Sequence, residues 1–305
     1  MTQLSQKGKS PSVSGILKGR GILPYLMIAP SILVFAVCYI YPIFYMIYLS
    51  FHDWNFISPD KEFIGLKNFS SLFSNPDFIK VMSNTFIYTG STVVLTISLS
   101  LLFALFLNQK GHRFNFTQAA IFSPHITSWV SISFIWLWLM EPNYGVLNWI
   151  LSLVGIDKLQ WLKSPQTALP SLIIIGVWKL IGYDTLILIS ALQGIPKNVL
   201  NAAKLDNAPK HRLLFKIILP MISPTIFFLV VMNTLMNFQV FDTVSIMTQG
   251  GPLNSTNSLV YYIYQNGFSY FKMGYASAAG VILLVVLGLL TFIYFKVLNK
   301  KVHYS

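Results

Sequence analysis

The chain has 305 residues, of which 54% are apolar and only 10% are charged. A soluble domain carries about 25% charged residues, so there is too little charge here to cover a water-soluble globule. The same composition excludes an intrinsically disordered chain. The single cysteine, Cys38, excludes an internal disulfide framework and a multi-cysteine zinc site. The sequence therefore indicates a membrane protein.

Six apolar stretches are long enough to cross a hydrocarbon core of about 30 Å as helices. In chain order they are 22–51, 82–107, 119–140, 168–192, 221–247 and 274–298. The first is expected to kink at a proline, and it is too long for a cleaved signal peptide. Pro124 and His125 interrupt the third. We predict an all-α, polytopic membrane protein with a transmembrane domain over 22–298, between tails 1–21 and 299–305.

The basic residues predict the orientation. Six spans place both termini on one side of the membrane, and the tails and loops of that side hold 14 of the 21 Lys and Arg residues. The loops of the other side hold 6 of them, together with most of the acidic residues. Basic residues are retained in the cytoplasm during insertion, so both termini and the 193–220 loop are predicted to be cytoplasmic. The formal net charge of +12 is then explained without nucleic acid.

The sequence lacks the motifs of several enzyme classes. It has no Gly-x-x-x-x-Gly-Lys-Ser/Thr loop, no His-Glu-x-x-His and no Ser-centred nucleophile elbow, and its five histidines have no metal-ligand spacing. The ionisable residues within the spans are Lys179, Asp184 and Asp242. Lys179 and Asp184 lie about 140° apart on a helix, so they do not form a simple facing pair. We expect no catalytic residue and no metal or cofactor bound by this chain.

The 193–220 loop predicts a short helix over 198–208. Pro196 suits the first turn of a helix, Asn198 can cap it, and Asn207 can adopt the left-handed conformation at its end. Val199, Ala202 and Ala203 share one small, apolar face, with Asp206 one turn further on. Such a helix either docks into a groove of a partner protein or lies on the lipid surface, and the residues alone do not decide between the two.

This loop resembles the cytoplasmic signature of ABC importer membrane subunits, which in sugar importers reads E-A-A-x-x-D-G-A followed by F-x-x-I-x-L-P. The matching positions are Asn201, Ala202, Ala203, Asp206, Asn207 and Ala208, followed by Leu219 and Pro220. Asn201 replaces the usual Glu and Asn207 the usual Gly. Asn201 loses a charge that in the family anchors the ATPase, whereas Asn207 is a mild change.

The resemblance extends over nearly the whole chain. Segments similar to the maltose/glycerol-3-phosphate type of permease include Gly65–Phe69, Trp178-Lys179 with Gly182-Tyr183, Phe241-Asp242, Gly250-Gly251-Pro252 and Gly274–Ala278. The Gly-Gly-Pro turn is typical of the first of the two paired permeases in this group. The chain is therefore identified as a member of this permease family, which implies the type I ABC importer membrane-domain fold.

The resemblance implies the function and the partners. Such an importer takes up a sugar or oligosaccharide across a bacterial cell membrane and is driven by ATP. This chain would supply half of the translocation pathway, beside a second permease subunit in a heterodimer. Two cytoplasmic ATPase subunits would carry ATP and Mg²⁺ and seat the 198–208 helix, and an extracytoplasmic solute-binding protein would deliver the solute.

The resemblance also implies a solute site on the fourth and fifth spans, at Lys179, Tyr183, Asn233 and Asn237. The two asparagines lie on one helix face and suit sugar hydroxyls, although hydrogen bonds between spans are the alternative. Tyr183 either stacks on a sugar ring or packs in the bundle. An intramembrane lysine such as Lys179 would suit an acidic solute, but similar sugar permeases also have a lysine here, so this residue is weak evidence for an acidic solute. Gln239 and Asp242 are expected to be structural, or gating in the case of Asp242.

Two other functions compete with this interpretation. A secondary transporter driven by an ion gradient would be expected to have mid-membrane carboxylates and an internal repeat. No clear repeat is found, and the 198–208 helix would have no role in it. A membrane scaffold without transport would not need the polar face of the fifth span. The surface segment 63–80 is expected to pack on the bundle or to receive the binding protein, with packing favoured.

Overall fold

The structure is a computed structural model that describes residues 23–109 and 111–298. The described chain consists of helices and one short hairpin, which are joined by irregular segments. Its helices are α1 (Leu23–Phe35), α2 (Tyr41–Ser50), α3 (Lys67–Phe73), α4 (Pro76–Leu107), α5 (His112–Ile126), α6 (Trp129–Leu139), α7 (Val146–Leu153), α8 (Ala168–Gln193), α9 (Lys197–Leu205), α10 (Lys210–Leu213), α11 (Leu219–Phe238), α12 (Leu259–Tyr264) and α13 (Met273–Leu298). The strands β1 (His52–Asp53) and β2 (Glu62–Phe63) pair antiparallel. The tails predicted at 1–21 and 299–305 lie outside the described residues.

Five helical segments are long and apolar enough to cross a membrane. They are Met27–Ser50, Pro76–Leu107, Ala168–Gln193, Lys210–Phe238 and Met273–Lys296. Helices α5 and α6 are long and apolar enough only as a pair, and they are bent by 101° at a short break, which is the geometry of a broken span or of a re-entrant loop. The prediction of one third span over 119–140 is therefore corrected to two helices. Proline lacks an N–H and clashes with the preceding turn, so Pro124 near the end of α5 is a local cause of the break.

Two other bounds differ from the prediction. The second span begins at Pro76 rather than at 82, because Asn75 caps it by accepting a hydrogen bond from the Asp77 N–H (2.9 Å) and Pro76 occupies its first turn. The fifth span ends at Phe238 rather than at 247. Residues 239–247 therefore lie beyond that helix.

The first span, described by itself, is a continuous helical segment. The π-helical turn Ala36–Ile40 joins α1 to α2, and Pro30 lies within α1. A π-turn adds a residue to the helical turn without ending the helix. Cys38 is exposed in this segment and forms no disulfide.

In the part of the chain after the first span, the most extensive contact between two helices is the one between α4 and α8. Gly176 lets the two helices approach closely, since a Cβ there would lie 2.8 Å from the Tyr88 hydroxyl and 3.3 Å from Cγ2 of Thr92. The Ser100 hydroxyl donates to the Ile181 carbonyl across the contact (2.9 Å). Small residues and hydroxyls are what allows helices to associate in lipid, where apolar surface alone gives no preference.

The surface segment after the hairpin packs on the bundle, as favoured from the sequence. Leu72 of α3 is fully buried in a cluster with Phe78 of α4 and Ala278 of α13. The Asn68 side chain donates to the Ser50 and His52 carbonyls, at 3.0 Å each. This segment therefore joins Ser50 and His52 to α4 and α13.

Candidate functional site

A polar and aromatic cavity of about 250 Å³ lies where α11 ends. Five elements of the bundle contribute to its lining: α4, α6, α8, α11 and the segment that follows α11. The lining residues are Tyr88, Trp129, Leu180, Met236, Asn237, Gln239, Val240, Phe241, Asp242 and Thr243. α11 stops at Phe238, and the five residues that follow it line this space. Non-helical backbone is tolerated at membrane depth only where it is buried in protein or lines a cavity.

The two predicted asparagines of α11 differ in their partners. The Asn233 amide donates to Oδ2 of Asp184 on α8 (2.6 Å), which joins the fourth and fifth spans. Among the described residues, Oδ1 of the fully buried Asp184 has no hydrogen-bond partner. The Asn237 amide donates to the Asn233 carbonyl (2.8 Å), and Asn237 lines the cavity. The hydrogen bond between spans is thus formed by Asn233, while Asn237 faces the cavity.

Lys179 lies at the break of the third span and is only 4% exposed. Its ammonium donates to the carbonyls of Pro124 (3.1 Å), His125 (3.3 Å) and Thr127. It also lies 4.8 Å from the centre of the Trp129 ring, within the range of a cation–π contact. Asp184 is not its partner, as the angular separation on the helix predicted.

Tyr183 lies one turn further along α8 and stacks on His125, with ring centres 4.5 Å apart and planes at 12°. Of the four residues predicted to bind the solute, the described lining of the cavity includes Asn237 and not Lys179, Tyr183 or Asn233. These three instead contact neighbouring helices. Their direct contact with a solute stays a prediction.

Several lining residues were not predicted. Gln239 was expected to be structural because it lies off the asparagine face of a continuous helix, but the helix ends before it and Gln239 lines the cavity. Trp129 begins α6 directly after the break, and Tyr88 lies on α4. The signal for Trp129 was the Pro124-His125 interruption, which predicts a break but not the direction of the chain after it.

The short helix between the fourth and fifth spans is α9, over Lys197–Leu205. The predicted face of Val199, Ala202 and Ala203 is divided: Ala203 is only 6% exposed, whereas Ala202 is exposed. Ala203 is buried within this chain, and its contact with a partner stays a prediction. Leu205, which sequence reasoning did not select, is 83% exposed.

The exposed face of α9 consists of polar and small residues around one leucine: Asn201, Ala202, Leu205 and Asp206. Leu200 anchors the opposite face in a core cluster with Leu107, Leu192 and Ile195. An isolated helix of this length would be marginal in water, so this anchoring is what holds it. The helix ends as predicted: Asn207 has φ +46°, and the N–H of the following Ala208 donates to the Ala203 carbonyl (3.1 Å).

The described residues hold no group of three or more His, Cys, Asp or Glu side chains that could bind a metal ion. Asp242 is the one carboxylate among the described lining residues of the cavity. A multi-pass bundle with a polar cavity inside it and a helix exposed between two spans has the architecture of a membrane permease subunit.

Comparison with known proteins supports this class. Residues 100–304 match the family described as the binding-protein-dependent transport system inner membrane component. The chain is 33% identical to the sn-glycerol-3-phosphate transport system permease protein UgpA of Agrobacterium fabrum, over 93% of this chain and 97% of that protein. It is 35% identical to the probable ABC transporter permease protein YesP of Bacillus subtilis, over 92% of each. The chain belongs to this family of binding-protein-dependent inner membrane components.

Solved structures show the same fold. One is a bacterial ABC transporter involved in the import of the acidic polysaccharide alginate, with a TM-score of 0.81 and 26% identity over 96% of this chain and all of that one. Another is the alginate transporter in complex with an alginate pentasaccharide-bound periplasmic protein, with a TM-score of 0.78. The chain is thus a transport subunit of the ABC importer type and not an enzyme, and the ion-gradient alternative is not favoured.

Proposed function

We propose that this chain is one of two different permease subunits of an ATP-driven importer for a sugar or oligosaccharide. The observation that carries the proposal is α9: one face is anchored in the bundle through Leu200 and Ala203, and the other presents Leu205 outward. A helix held in this way transmits force in both directions between a partner and the spans, which suits a rigid-body, two-state mechanism.

The partner at α9 is an ATPase subunit. Asn201, Ala202, Leu205 and Asp206 enter a groove of that subunit, and Asn207 and Ala208 complete the end of the helix. Leu205 is the apolar anchor, and Asn201 gives a neutral hydrogen bond where related permeases have a carboxylate. ATP and Mg²⁺ are bound by the two ATPase subunits and not by this chain.

The solute passes through the cavity at the end of α11. Asn237 and Gln239 offer neutral donors and acceptors for hydroxyl groups, and Trp129 and Tyr88 offer aromatic surface for a sugar ring. Relatives are named for the transport of sn-glycerol-3-phosphate and sulfoquinovosyl glycerol, and the structurally similar transporter imports alginate, which supports a polar, carbohydrate-like solute for this chain. The second permease supplies the opposite wall.

The chain sits in a bacterial cytoplasmic membrane with both termini and α9 in the cytoplasm. The excess of Lys and Arg in the tails and in the 193–220 loop supports this orientation. The solute-binding protein then docks on the opposite side, which carries the hairpin, α3, α7 and α12. A cavity of about 430 Å³ beside the Gly251-Pro252 turn opens on that side.

The test uses the chain coexpressed with second-permease and ATPase chains of the same genome, purified together in nanodiscs. We expect the ATPase to copurify and its ATP turnover to rise when a solute-loaded binding protein is added. Leu205→Asp should abolish copurification, because it puts a charge at the apolar anchor of the interface.

The matched control is Leu253→Asp. Leu253 is also exposed, at 79%, but lies on the opposite side of the membrane in the proposed topology. This variant should keep the ATPase bound. If wild type retains no ATPase, or if both variants behave alike, the proposal is overturned.

A further inference from the structure

The segment from Trp178 to Tyr183 of α8 contacts the broken third span at successive positions on both sides of the break. Trp178 packs edge-on against Trp136 of α6, with ring centres 5.4 Å apart. Gly182 touches α5, where a Cβ would lie 2.0 Å from the Ile121 carbonyl oxygen. Lys179, next to Trp178, and Tyr183, next to Gly182, also contact the end of α5. The segment therefore holds the end of α5 and the start of α6 together.

The break leaves backbone carbonyls without helical partners. The last four carbonyls of any helix lack an intrahelical donor, and these groups are costly to leave unpaired away from water. The ammonium of Lys179 has three N–H donors, and it donates to the carbonyls of Pro124, His125 and Thr127. A positive charge at the carbonyl end of a helix is also favoured by the helix dipole.

The other side of the break is capped by its own chain. The Ser128 hydroxyl accepts from the Ser131 N–H (3.2 Å) and begins α6. Trp129 follows at once: its ring centre lies 4.8 Å from the Lys179 ammonium, and the residue also lines the cavity. The position of the Trp129 ring thus depends on the groups that fix the break.

We propose that Lys179 is a positioning residue: it binds the carbonyl end of α5, fixes the angle between α5 and α6, and so holds Trp129 in the cavity wall without contacting the solute. Its three donors are occupied by the protein itself. The inference rests on the proposed function only in treating this cavity as the solute site.

The test measures the break and the transport reaction separately. Spin labels go on cysteines at Phe116 of α5 and Phe134 of α6, which are both exposed, in a Cys38→Ser background. Wild type should give one narrow distance distribution in nanodiscs. Lys179→Met should broaden or shift it, because three carbonyls lose their donor.

The ATPase assay adds a second readout. With Lys179→Met, turnover stimulated by the loaded binding protein should fall by about tenfold, since a small displacement of a positioning group is enough for such a loss. Trp129→Ala should reduce the stimulated turnover while leaving the distance between the labels unchanged. The two variants therefore separate the residue that fixes the break from the one that forms the wall.

Two outcomes would overturn the proposal. One is a Lys179→Met chain with the wild-type distance distribution, whatever its turnover, because Lys179 would then not fix the break. The other is a distance change with normal stimulated turnover. If Lys179→Met does not assemble, Lys179→Gln, which keeps two donors without the charge, is read in the same way. Absence of any stimulation in wild type would instead refute the proposed function, and the distance measurement would still decide the role of Lys179.

Discussion

Two asparagines one helical turn apart on α11 have different surroundings, and this difference can be tested. Asn233→Leu removes the partner of the buried Asp184 carboxyl group. We expect this change to lower the stability of the purified chain by about 2 kcal/mol, because a buried carboxyl group would be left without a hydrogen bond. Thermal unfolding in detergent measures the effect.

Asn237→Leu is the matched control at the same depth. It loses only a hydrogen bond to the Asn233 carbonyl, and such bonds inside membrane proteins average about 0.6 kcal/mol. We expect nearly wild-type thermal stability but a loss of ATP turnover stimulated by the loaded binding protein, because Asn237 lines the cavity. Equal loss of stability in both variants would show that Asn237 is also structural.

The left-handed residue at the end of α9 gives a second prediction. Asn207 has φ +46°, a conformation that glycine adopts freely and that β-branched residues strongly disfavour. Asn207→Gly should retain ATPase binding and stimulation. Asn207→Val should weaken both, since the left-handed conformation costs an ordinary residue about 1–2 kcal/mol. The amount of copurified ATPase is the measurement, and equal binding by the two variants would contradict a need for this helix end.

At the scale of the elements, the closest approach of α8 to the third span is at Gly182. A Cβ there would meet backbone of α5, at 2.0 Å from the Ile121 carbonyl oxygen, which no side-chain rotation relieves. Gly182→Ala should therefore force the helices apart and lower stability by about 1–3 kcal/mol. The change in thermal unfolding temperature of the purified chain measures it.

Gly90 of α4 is the control for this substitution. It is also a glycine inside a spanning helix, but a Cβ there would meet nothing within 4 Å. Gly90→Ala should be neutral or stabilising, because alanine is the better helix former by up to about 1 kcal/mol. If the Gly182→Ala chain is as stable as the Gly90→Ala chain, the distance between α8 and α5 at Gly182 must be larger than the structure shows.

The elements also show what the sequence could predict. Apolar length predicted the spans, because a hydrocarbon core requires about 20 residues of helix. It could not predict the 101° bend of the third span, since hydropathy records length and not direction. The periodicity of α9 likewise identified residues that share a face. Which face is buried depends on Leu192, at the end of the preceding helix, and on Leu107, in a helix distant in sequence.

The candidate site depended even more on distant contacts. The polar residues of the fourth and fifth spans were found because such residues are rare inside a membrane. Their partners were not found: Lys179 binds backbone carbonyls of the third span, and carbonyls carry no sequence signal. Trp129 and Gln239 reach the cavity only because helices end beside them. Helix breaks thus determine this site as much as side-chain types do.

At the scale of the whole molecule, the charge distribution and the position of α9 together predict one orientation. A Cys38→Ser chain carrying a single cysteine at Leu205 or at Leu253 tests it, because both positions are exposed. On intact cells, a membrane-impermeant maleimide should label position 253 and leave position 205 unlabelled. Inside-out vesicles should give the reverse, since the basic loops are retained in the cytoplasm.

The same pair of cysteines also tests the coupling surface. When the ATPase subunits are present in the vesicles, labelling at 205 should fall strongly, because a residue at the centre of an interface is shielded from solvent. In nanodiscs, where both faces are open to the reagent, only position 205 should be protected by the ATPase. Labelling of 205 from outside the cell would reverse the topology, and unchanged labelling with the ATPase bound would remove α9 from the contact.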